Sequence, residues 1–467
     1  MPKTSTESPP RGPYAGKAVT VMGLGLFGGG VGVAQFFARR GARVTVTDEK
    51  NRRELAPSLK ALKGLPIAYH LGGHRKSDFT RAEIVAVSPA VRPDSPYVAA
   101  AGKAGAEITS EMNLFMALCP ADVVGITGSN GKSTTTALTG AILATDRPAR
   151  VAGNIGKSLL DEVEGIGPDE TIVLELSSFQ LHALARVRKS PRVAVVTNLS
   201  ENHIDWHGSM RAYIAAKKNI LRFQHPGDVA VLNADDAEVR TWRGAARGRV
   251  VFFSARRKLG EGVFADGRRL VFRLGGREER VDLSRMQLRG PHNISNVLAA
   301  ATAARVLGVP AKAIGEAIAA FRPLPHRLQP VGTRGGVLFV NDSKATTPLA
   351  ACAAINAFDE PIVLIAGGYD KKIDPAPMVR AIGRRVKAVV LVGETAAALR
   401  KAIGNGRPIV ERARSFPDAV RRAAALARRG DVVLLSTGHA SWDMFDNYEQ
   451  RGEMFRRVAM KLGMRPV

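Results

Sequence analysis

Val123-Val124 leads an apolar run into Gly125-Ile126-Thr127-Gly128-Ser129-Asn130-Gly131-Lys132-Ser133-Thr134, and a helix-compatible run continues to Leu143. A chain with this segment is committed to a strand, a tight glycine turn and a helix in immediate succession, the repeating corner of a layered α/β sheet. Such a corner points several backbone N–H groups into one small space at the positive end of a helix, and Lys132 adds a full charge there. Phosphate is the ligand that suits this chemistry. Five residues separate Gly125 from Gly131, one more than the standard phosphate loop has, so the working first glycine is Gly128. The candidate cradle is therefore Gly128, Ser129, Asn130, Gly131 and Lys132, with Ser133 or Thr134 able to offer a hydroxyl to Mg²⁺. An ordinary strand–turn–helix corner gives no reason for a lysine and hydroxyl residues directly after the last glycine.

The 467 residues allow two or three domains with real cores. Met1–Gly16 is polar and proline-rich and reads as a loose tail, not a signal peptide. From 17 to 110 a strand over Lys17–Met22, a helix around Val31–Arg40, a strand over Arg43–Thr47 and short strands near Ile84–Ser88 describe one α/β sheet. From 111 to 323 the expected strands are Val123–Thr127, Thr171–Leu176, Val193–Thr197, Val229–Leu232 and Val250–Phe253. Asp266-Gly267 and Gly275-Gly276 then mark a small hairpin sheet. Helices over Asn293–Leu307 and Ala311–Phe321 close this block. Pro323-Leu324-Pro325 is a stiff break, and a third α/β block fills 324–467. Its strands are Val337–Asn341, Pro361–Ala366, Ala388–Val392 and Asp431–Ser436, with a helix over Pro417–Arg428.

A net charge of +26 invites a nucleic-acid reading, but the basic residues are thinly spread and aromatics are only 6% of the chain. No nucleic-acid-binding motif accompanies them, so attraction of small anions is the reading kept. No apolar run is long enough to cross a bilayer. Two distant cysteines, Cys119 and Cys352, fit neither a disulfide framework nor a zinc site, which agrees with a reducing cytoplasm.

Other polar clusters fall where strands end, the usual ligand edge of an α/β sheet. Gly23-Leu24-Gly25-Leu26-Phe27-Gly28 follows the first strand and Asp48 ends the second, a pattern that NAD, FAD or a nucleotide sugar would all satisfy. Glu175 ends a strand beside the phosphate loop and is placed to hold Mg²⁺. His203 follows the next strand and is a candidate ligand. Arg327, at the domain break, could reach a γ-phosphate. Asp342 in Asn341–Thr347 could accept hydrogen bonds from a ribose, and Gly367–Lys371 and Ser436–Trp442 end two further strands. Lys217 sits on an expected helix, where a lysine is ordinarily solvated, and the residues alone do not select it.

Taken in order, these segments resemble the Mur ligases of peptidoglycan synthesis, from about Lys17 to the C-terminus. The resemblance rests on Gly-Leu-Gly at 23–25, the loop at 127–134, Gly-Asn-Ile-Gly at 153–156 and Leu-Glu-Leu-Ser-Ser-Phe-Gln-Leu at 174–181. It continues through His-Asn-Ile-Ser-Asn at 292–296, Pro-His-Arg at 325–327, Asn-Asp-Ser-Lys-Ala-Thr at 341–346 and the run Ser441–Tyr448. The Asp-Asn-Pro-Arg motif of the diaminopimelate-adding branch is absent.

The resemblance implies a Rossmann-like UDP-binding domain, a central phosphate-loop ATPase domain and a C-terminal Rossmann-like domain that binds an amino acid. It implies ATP-driven amide formation through an acyl phosphate, with glutamate (D-glutamate by default) joined to UDP-N-acetylmuramoyl-L-alanine. ATP and two Mg²⁺ are the implied cofactors, and a cytoplasmic monomer the implied form. By the same resemblance Lys132, His203, Lys217, Arg327 and Lys344 are catalytic. Glu175, His203 and the hydroxyls of Ser133 and Thr134 hold metal, together with Lys217 once carbamylated. Asn293 and Asn296 flank adenine and Asp342 holds ribose. Gly25, Leu26, Phe27, Asp48 and Ser88 hold the uridine diphosphate end, and Asn154, Ser177, Gln180 and His203 line the muramoyl path. Lys344, Thr346, Lys371, Ser441 and Tyr448 surround the incoming glutamate.

Three departures from the family pattern stand out. Phe27 replaces a small hydroxyl residue, Thr347 an asparagine, and Thr437-Gly438-His439 the usual Pro-Ala-Cys. The last two flank the implied glutamate pocket, so an L-glutamate-adding ligase stays an alternative. Another Mur-type or folyl-polyglutamate-type ligase is a second, and an NAD-dependent oxidoreductase built on Gly23–Gly28 a remote third.

Overall fold

The computed structural model describes residues 12–26, 28–155, 158–406 and 408–466. Two compact units are present: one runs through Leu283 and takes in Asn296–Ile318, the other joins Ser284–Ser295 to Ala319–Val467.

The first unit carries two sheets. In the smaller, β1 (Ala18–Met22), β2 (Arg43–Asp48), β3 (Ile67–Leu71), β4 (Ile84–Val87) and β5 (Glu107–Thr109) lie in the order β3-β2-β1-β4-β5. All four pairings are parallel. The order reverses between β1 and β4, which opens a crevice at their carboxyl ends. The larger sheet has nine strands: β6 (Asp122–Thr127), β7 (Ala149–Gly153), β8 (Thr171–Glu175), β9 (Val193–Val196), β10 (Val229–Asn233), β11 (Arg249–Ser254), β12 (Gly262–Asp266), β13 (Arg269–Leu274) and β14 (Arg277–Asp282). Their order is β14-β13-β12-β11-β10-β9-β6-β8-β7. The expected hairpins are present, and they continue the main sheet through the parallel pairs Phe253↔Val263 and Ser254↔Phe264. Gly275 and Gly276, both at positive φ (57° and 75°), make the second two-residue turn. One core runs through both sheets of this unit, from Val19 and Phe36 to Leu174 and Trp242.

In the second unit β15 (Gln329–Arg334), β16 (Val337–Asn341), β17 (Ile362–Ala366), β18 (Val386–Leu391), β19 (Ile409–Arg412) and β20 (Val432–Leu435) lie in the order β15-β16-β20-β17-β18-β19. Separate apolar clusters, one around Phe339, Phe416 and Phe455 and one around Ile355, Phe358 and Ile382, pack this sheet.

The tail expected over Met1–Gly16 lies outside the described residues as far as residue 11. Its remainder is tied down, because the Tyr14 ring packs edge-on against Phe36 and Phe37 at 5.5 and 5.1 Å and Gly16 N–H donates to the Gly41 carbonyl at 2.9 Å. The strands that the sequence does not mark, β3, β5, β7, β15 and β19, all sit at sheet edges. An edge strand is covered on fewer sides, so it lacks the apolar run that marks a central strand.

Candidate active site

β6 lies between β8 and β9 and is parallel to both, so the turns that follow these three strands share one edge. The turn after β6 is the phosphate loop. Gly128 sits at φ 151° and a Cβ there would meet Thr197 Oγ1 at 2.0 Å; Gly131 sits at φ 82° and a Cβ would meet Asn296 Oδ1 at 2.1 Å. At both positions a side chain would be strained by the backbone angle and would have to displace its neighbour. Gly131 then caps the helix Lys132–Leu143. Asn198, following β9, clasps the loop in both directions: its Oδ1 accepts from Asn130 N–H and its Nδ2 donates to the Asn130 carbonyl, each at 2.9 Å. Ser129 Oγ meets Tyr213 OH and the Ser200 carbonyl, also at 2.9 Å. Lys132 Nζ folds back to the Gly128 and Ser129 carbonyls at 3.0 Å.

Two buried charged residues flank this loop. Glu175, 2% exposed, ends β8; its Oε1 accepts from Asn154 Nδ2 at 3.0 Å, while its buried Oε2 has no hydrogen-bond partner among the described residues. Lys217, 1% exposed on the helix Met210–Arg222, donates from Nζ to Thr127 Oγ1 at 3.1 Å and to the Gly128 carbonyl at 3.0 Å. Burial first, and the Lys132 ammonium next, push the Lys217 amine well below the usual lysine range. His203 stands at φ 55° with its ring 4.8 Å from Phe179, and partial burial and then Lys132 lower its pKa. His207, which bonds Ser178 Oγ at 2.9 Å and stacks on Phe179, falls to about 4, mainly through burial and then through His182 and His203.

Ser177 and Gln180 form a reciprocal capping box on the helix Ser178–Leu184. At the smaller sheet Asp48 Oδ2 accepts from Gly25 N–H at 3.0 Å, and Ser88 closes against Gly23, where a Cβ would stand 2.7 Å from Ser88 Cβ. Leu26 is 50% exposed at this turn. Phe27, and Gly156 of the 153–156 motif, lie outside the described residues.

In the second unit β16, β20 and β17 are adjacent and parallel, so their three polar turns also share one edge. Asp342 is buried there. Its Oδ2 accepts from Ser436 Oγ at 2.8 Å and its Oδ1 from Leu328 N–H at 3.1 Å, which fixes the turn that carries Arg327. Burial raises its carboxyl to about 7 against the opposing pull of those donors and of Arg327 and Arg451. Lys344 Nζ lies 5.1 Å from the Tyr448 ring centroid, and Thr346 N–H donates to the Lys344 carbonyl at 2.9 Å. Ser441 is buried, and Lys371 Nζ lies 4.9 Å from the Trp442 ring centroid. Asn293 belongs to this unit and Asn296 to the first.

Sequence reasoning missed Asn198 and Tyr213, which hold the phosphate loop, and Arg451. The Arg451 guanidinium is fully buried on the helix Tyr448–Lys461. It donates to Ser343 Oγ at 3.0 Å, the His439 carbonyl at 3.0 Å and the Ser343 carbonyl at 2.8 Å. Asn198 carries a weak signal, a polar residue directly after a strand; an arginine on a charged helix carries none.

Family comparison agrees with this architecture. Residues 17–110 match the Mur ligase MurD-like N-terminal domain, 126–304 the Mur ligase middle domain, and 326–438 the Mur ligase glutamate ligase domain. The chain belongs to the Mur ligase family. It is 46% identical to the UDP-N-acetylmuramoylalanine–D-glutamate ligase of Roseiflexus sp. (strain RS-1), over 95% of this chain and 98% of that protein. It is 41% identical to the enzyme of the same name from Geobacter metallireducens, over 96% and 98%. Among solved structures it shares its fold with the UDP-N-acetylmuramate–alanine ligase of Thermotoga maritima (TM-score 0.60, 19% identity, 96% of this chain and 99% of that one).

Proposed function

We propose that this chain joins D-glutamate to UDP-N-acetylmuramoyl-L-alanine with ATP. The observation that carries the reading is the first unit's grouping of a glycine-built phosphate loop, a buried lysine and a buried carboxylate with one open oxygen. Relatives 40–46% identical over nearly the whole chain carry that activity in their names. They support D-glutamate over the L-enantiomer and over other acceptors. The phosphate loop with its lysine, Glu175 and Lys217 has no place in a dehydrogenase.

The chemistry begins with transfer of the γ-phosphoryl group to the acceptor carboxylate, which gives an acyl phosphate and ADP. The glutamate amine adds to the acyl carbon, loses a proton, and the tetrahedral species expels inorganic phosphate as the amide forms. Crowded negative charge is the main obstacle, and fixed cations and N–H groups answer it. Loop N–H groups and Lys132 hold the β- and γ-phosphates, and we assign Arg327 to phosphate as well. Mg²⁺, when bound, would neutralise phosphate charge. The orphaned Glu175 Oε2 fits such a hard cation. No group of three or more His, Cys, Asp or Glu side chains forms a ready metal cage among the described residues. Ser133, Thr134, His203 and a modified Lys217 are the further ligands we assign, which would hold up to two such ions. A neutral Lys217 amine can add to CO₂ with loss of a proton, which turns a buried cation into a carboxylate-like group.

The uridine diphosphate end is assigned to the turn at Gly25 with Asp48 and Ser88, and the muramoyl path to Asn154, Ser177 and Gln180. Adenosine is assigned to Asn293, Asn296 and Asp342, and glutamate to Lys344, Thr346, Lys371, Ser441 and Tyr448. We place domain boundaries near residues 110 and 323, because each of the three sheets then falls within one domain. A cytoplasmic monomer suits substrates of this kind. No helix of the described residues is long and apolar enough to cross a membrane. The deciding assay is phosphate release from ATP with UDP-N-acetylmuramoyl-L-alanine and D- or L-glutamate supplied separately. Release only with acceptor plus D-glutamate is expected; release with neither enantiomer, or only with L-glutamate, defeats the reading.

A further inference from the structure

Trp442 is a large indole left 61% exposed directly after the buried Ser441. Its ring tilts against Tyr369 at 5.4 Å, and the Lys371 ammonium lies over it, 4.9 Å from the centroid. The backbone beneath is stitched rigidly. Tyr369 N–H donates to the Ala440 carbonyl at 2.9 Å and Gly367 N–H to the Thr437 carbonyl at 3.0 Å. At Gly368 a Cβ would stand 2.3 Å from the Ala440 oxygen, so the two turns lie closer together than a side chain would allow. The carboxylate next to it in sequence, Asp370, pairs with Lys372 at 2.9 Å. Lys371 forms no ion pair among the described residues, and the indole face is its counter-surface. A ring face attracts an ammonium without neutralising it. A flexible four-carbon stem is thereby held in one direction while its charge stays available to an arriving carboxylate.

We propose that Trp442, backed by Tyr369, is a positioning residue for the amino-acid substrate: it holds the Lys371 ammonium where a carboxylate of glutamate docks. This rests on the assignment of Lys371 to glutamate made above.

The test is steady-state phosphate release by the full chain and its Trp442→Leu and Trp442→Phe variants, varying D-glutamate, ATP and acceptor in turn. Trp442→Leu should raise KM for glutamate about three- to tenfold, with kcat within about twofold of wild type and the KM values for ATP and acceptor unmoved. Trp442→Phe should recover most of the loss, since it keeps a ring face. An unchanged glutamate KM in Trp442→Leu overturns the proposal. So does a Trp442→Phe variant as impaired as Trp442→Leu, or a rise shared by all three substrates with a lowered melting temperature. Wild-type protein that releases no phosphate with D-glutamate refutes the assigned reaction instead, so the two failures are distinguishable.

Discussion

The two polar edges of this molecule are built on different principles. In the first unit the backbone itself forms the site: two glycines where a Cβ would be strained and crowded, and a helix N-terminus, braced by Asn198 and Tyr213. In the second unit the turns after β16 and β20 are joined by side chains: Asp342 accepts from Ser436 Oγ, and the three donors of Arg451 reach Ser343 and His439. A site written in backbone conformation leaves a local sequence signature, because only certain residues can adopt it. A buried guanidinium leaves little, since two of its three acceptors are main-chain carbonyls that any residue supplies. The first edge should therefore lose chemistry when a charge is removed and keep its shape, whereas the second should lose shape first.

The sharpest separation comes from Lys132→Ala. It removes the cation we assign to the phosphates but no part of the glycine framework; Lys132 Nζ donates to the Gly128 and Ser129 carbonyls of its own loop. Turnover should fall by about 10²- to 10³-fold or more, while calorimetric melting stays nearly that of wild type. Appreciable residual turnover would break the comparison on its chemical side. Lys217→Ala should cost a comparable amount, roughly 10²-fold, and added acetate or formate should restore part of it by supplying the missing carboxylate. Wild-type activity without rescue would remove the carbamate from the scheme.

Arg451→Met tests the other edge. The variant keeps the apolar stem but leaves the Ser343 and His439 carbonyls without their donor. Each lost bond to a charged group is worth about 1.5–3 kcal/mol, partly offset because a buried charge is also removed. We expect the second unit to lose about 2 kcal/mol by hydrogen exchange and the glutamate KM to rise about tenfold, with exchange in the helix Met210–Arg222 unaltered. Equal loosening of both units would show that Arg451 is not a local brace.

This contrast also explains what could be read from the chain. Central strands such as β6 and β17 are covered on both faces and announce themselves as apolar runs; β7 and β19, at edges with partly exposed patterns, do not. The phosphate loop was legible because Gly128, Gly131 and Lys132 have few other reasons to stand together. Glu175 was legible from its place at a strand end, though its unsatisfied oxygen was not. Lys217 was hidden for a physical reason: sequence shows a lysine on a helix, and only packing against Thr127 and Gly128 shows that it is buried. Asp342 was marked, but its elevated pKa depends on burial that no local pattern encodes.

The smallest expected effect is a pair of opposed pH slopes. His207 in the first unit is depressed from 6.5 to about 4, so the unfolded chain binds the extra proton between those values. Stability from this group is complete above about 6.5 and is lost as pH falls towards 4. Asp342 in the second unit is raised from 3.8 to about 7, so there the folded state binds the extra proton. Its contribution is fully present below about 3.8 and is lost as pH rises through 7. Between pH 4 and 6.5 the His207 contribution should thus grow with rising pH while the Asp342 contribution is lost. Hydrogen exchange corrected for intrinsic rate and compared between wild type and variant isolates each: the wild-type-minus-variant difference for His207→Gln should rise with pH in the first unit, and that for Asp342→Asn should fall in the second. Differences of the same sign, or a variant that acts on the other unit, would mean that burial does not set the protonation of these two groups and that the contrast between the edges is one of architecture only.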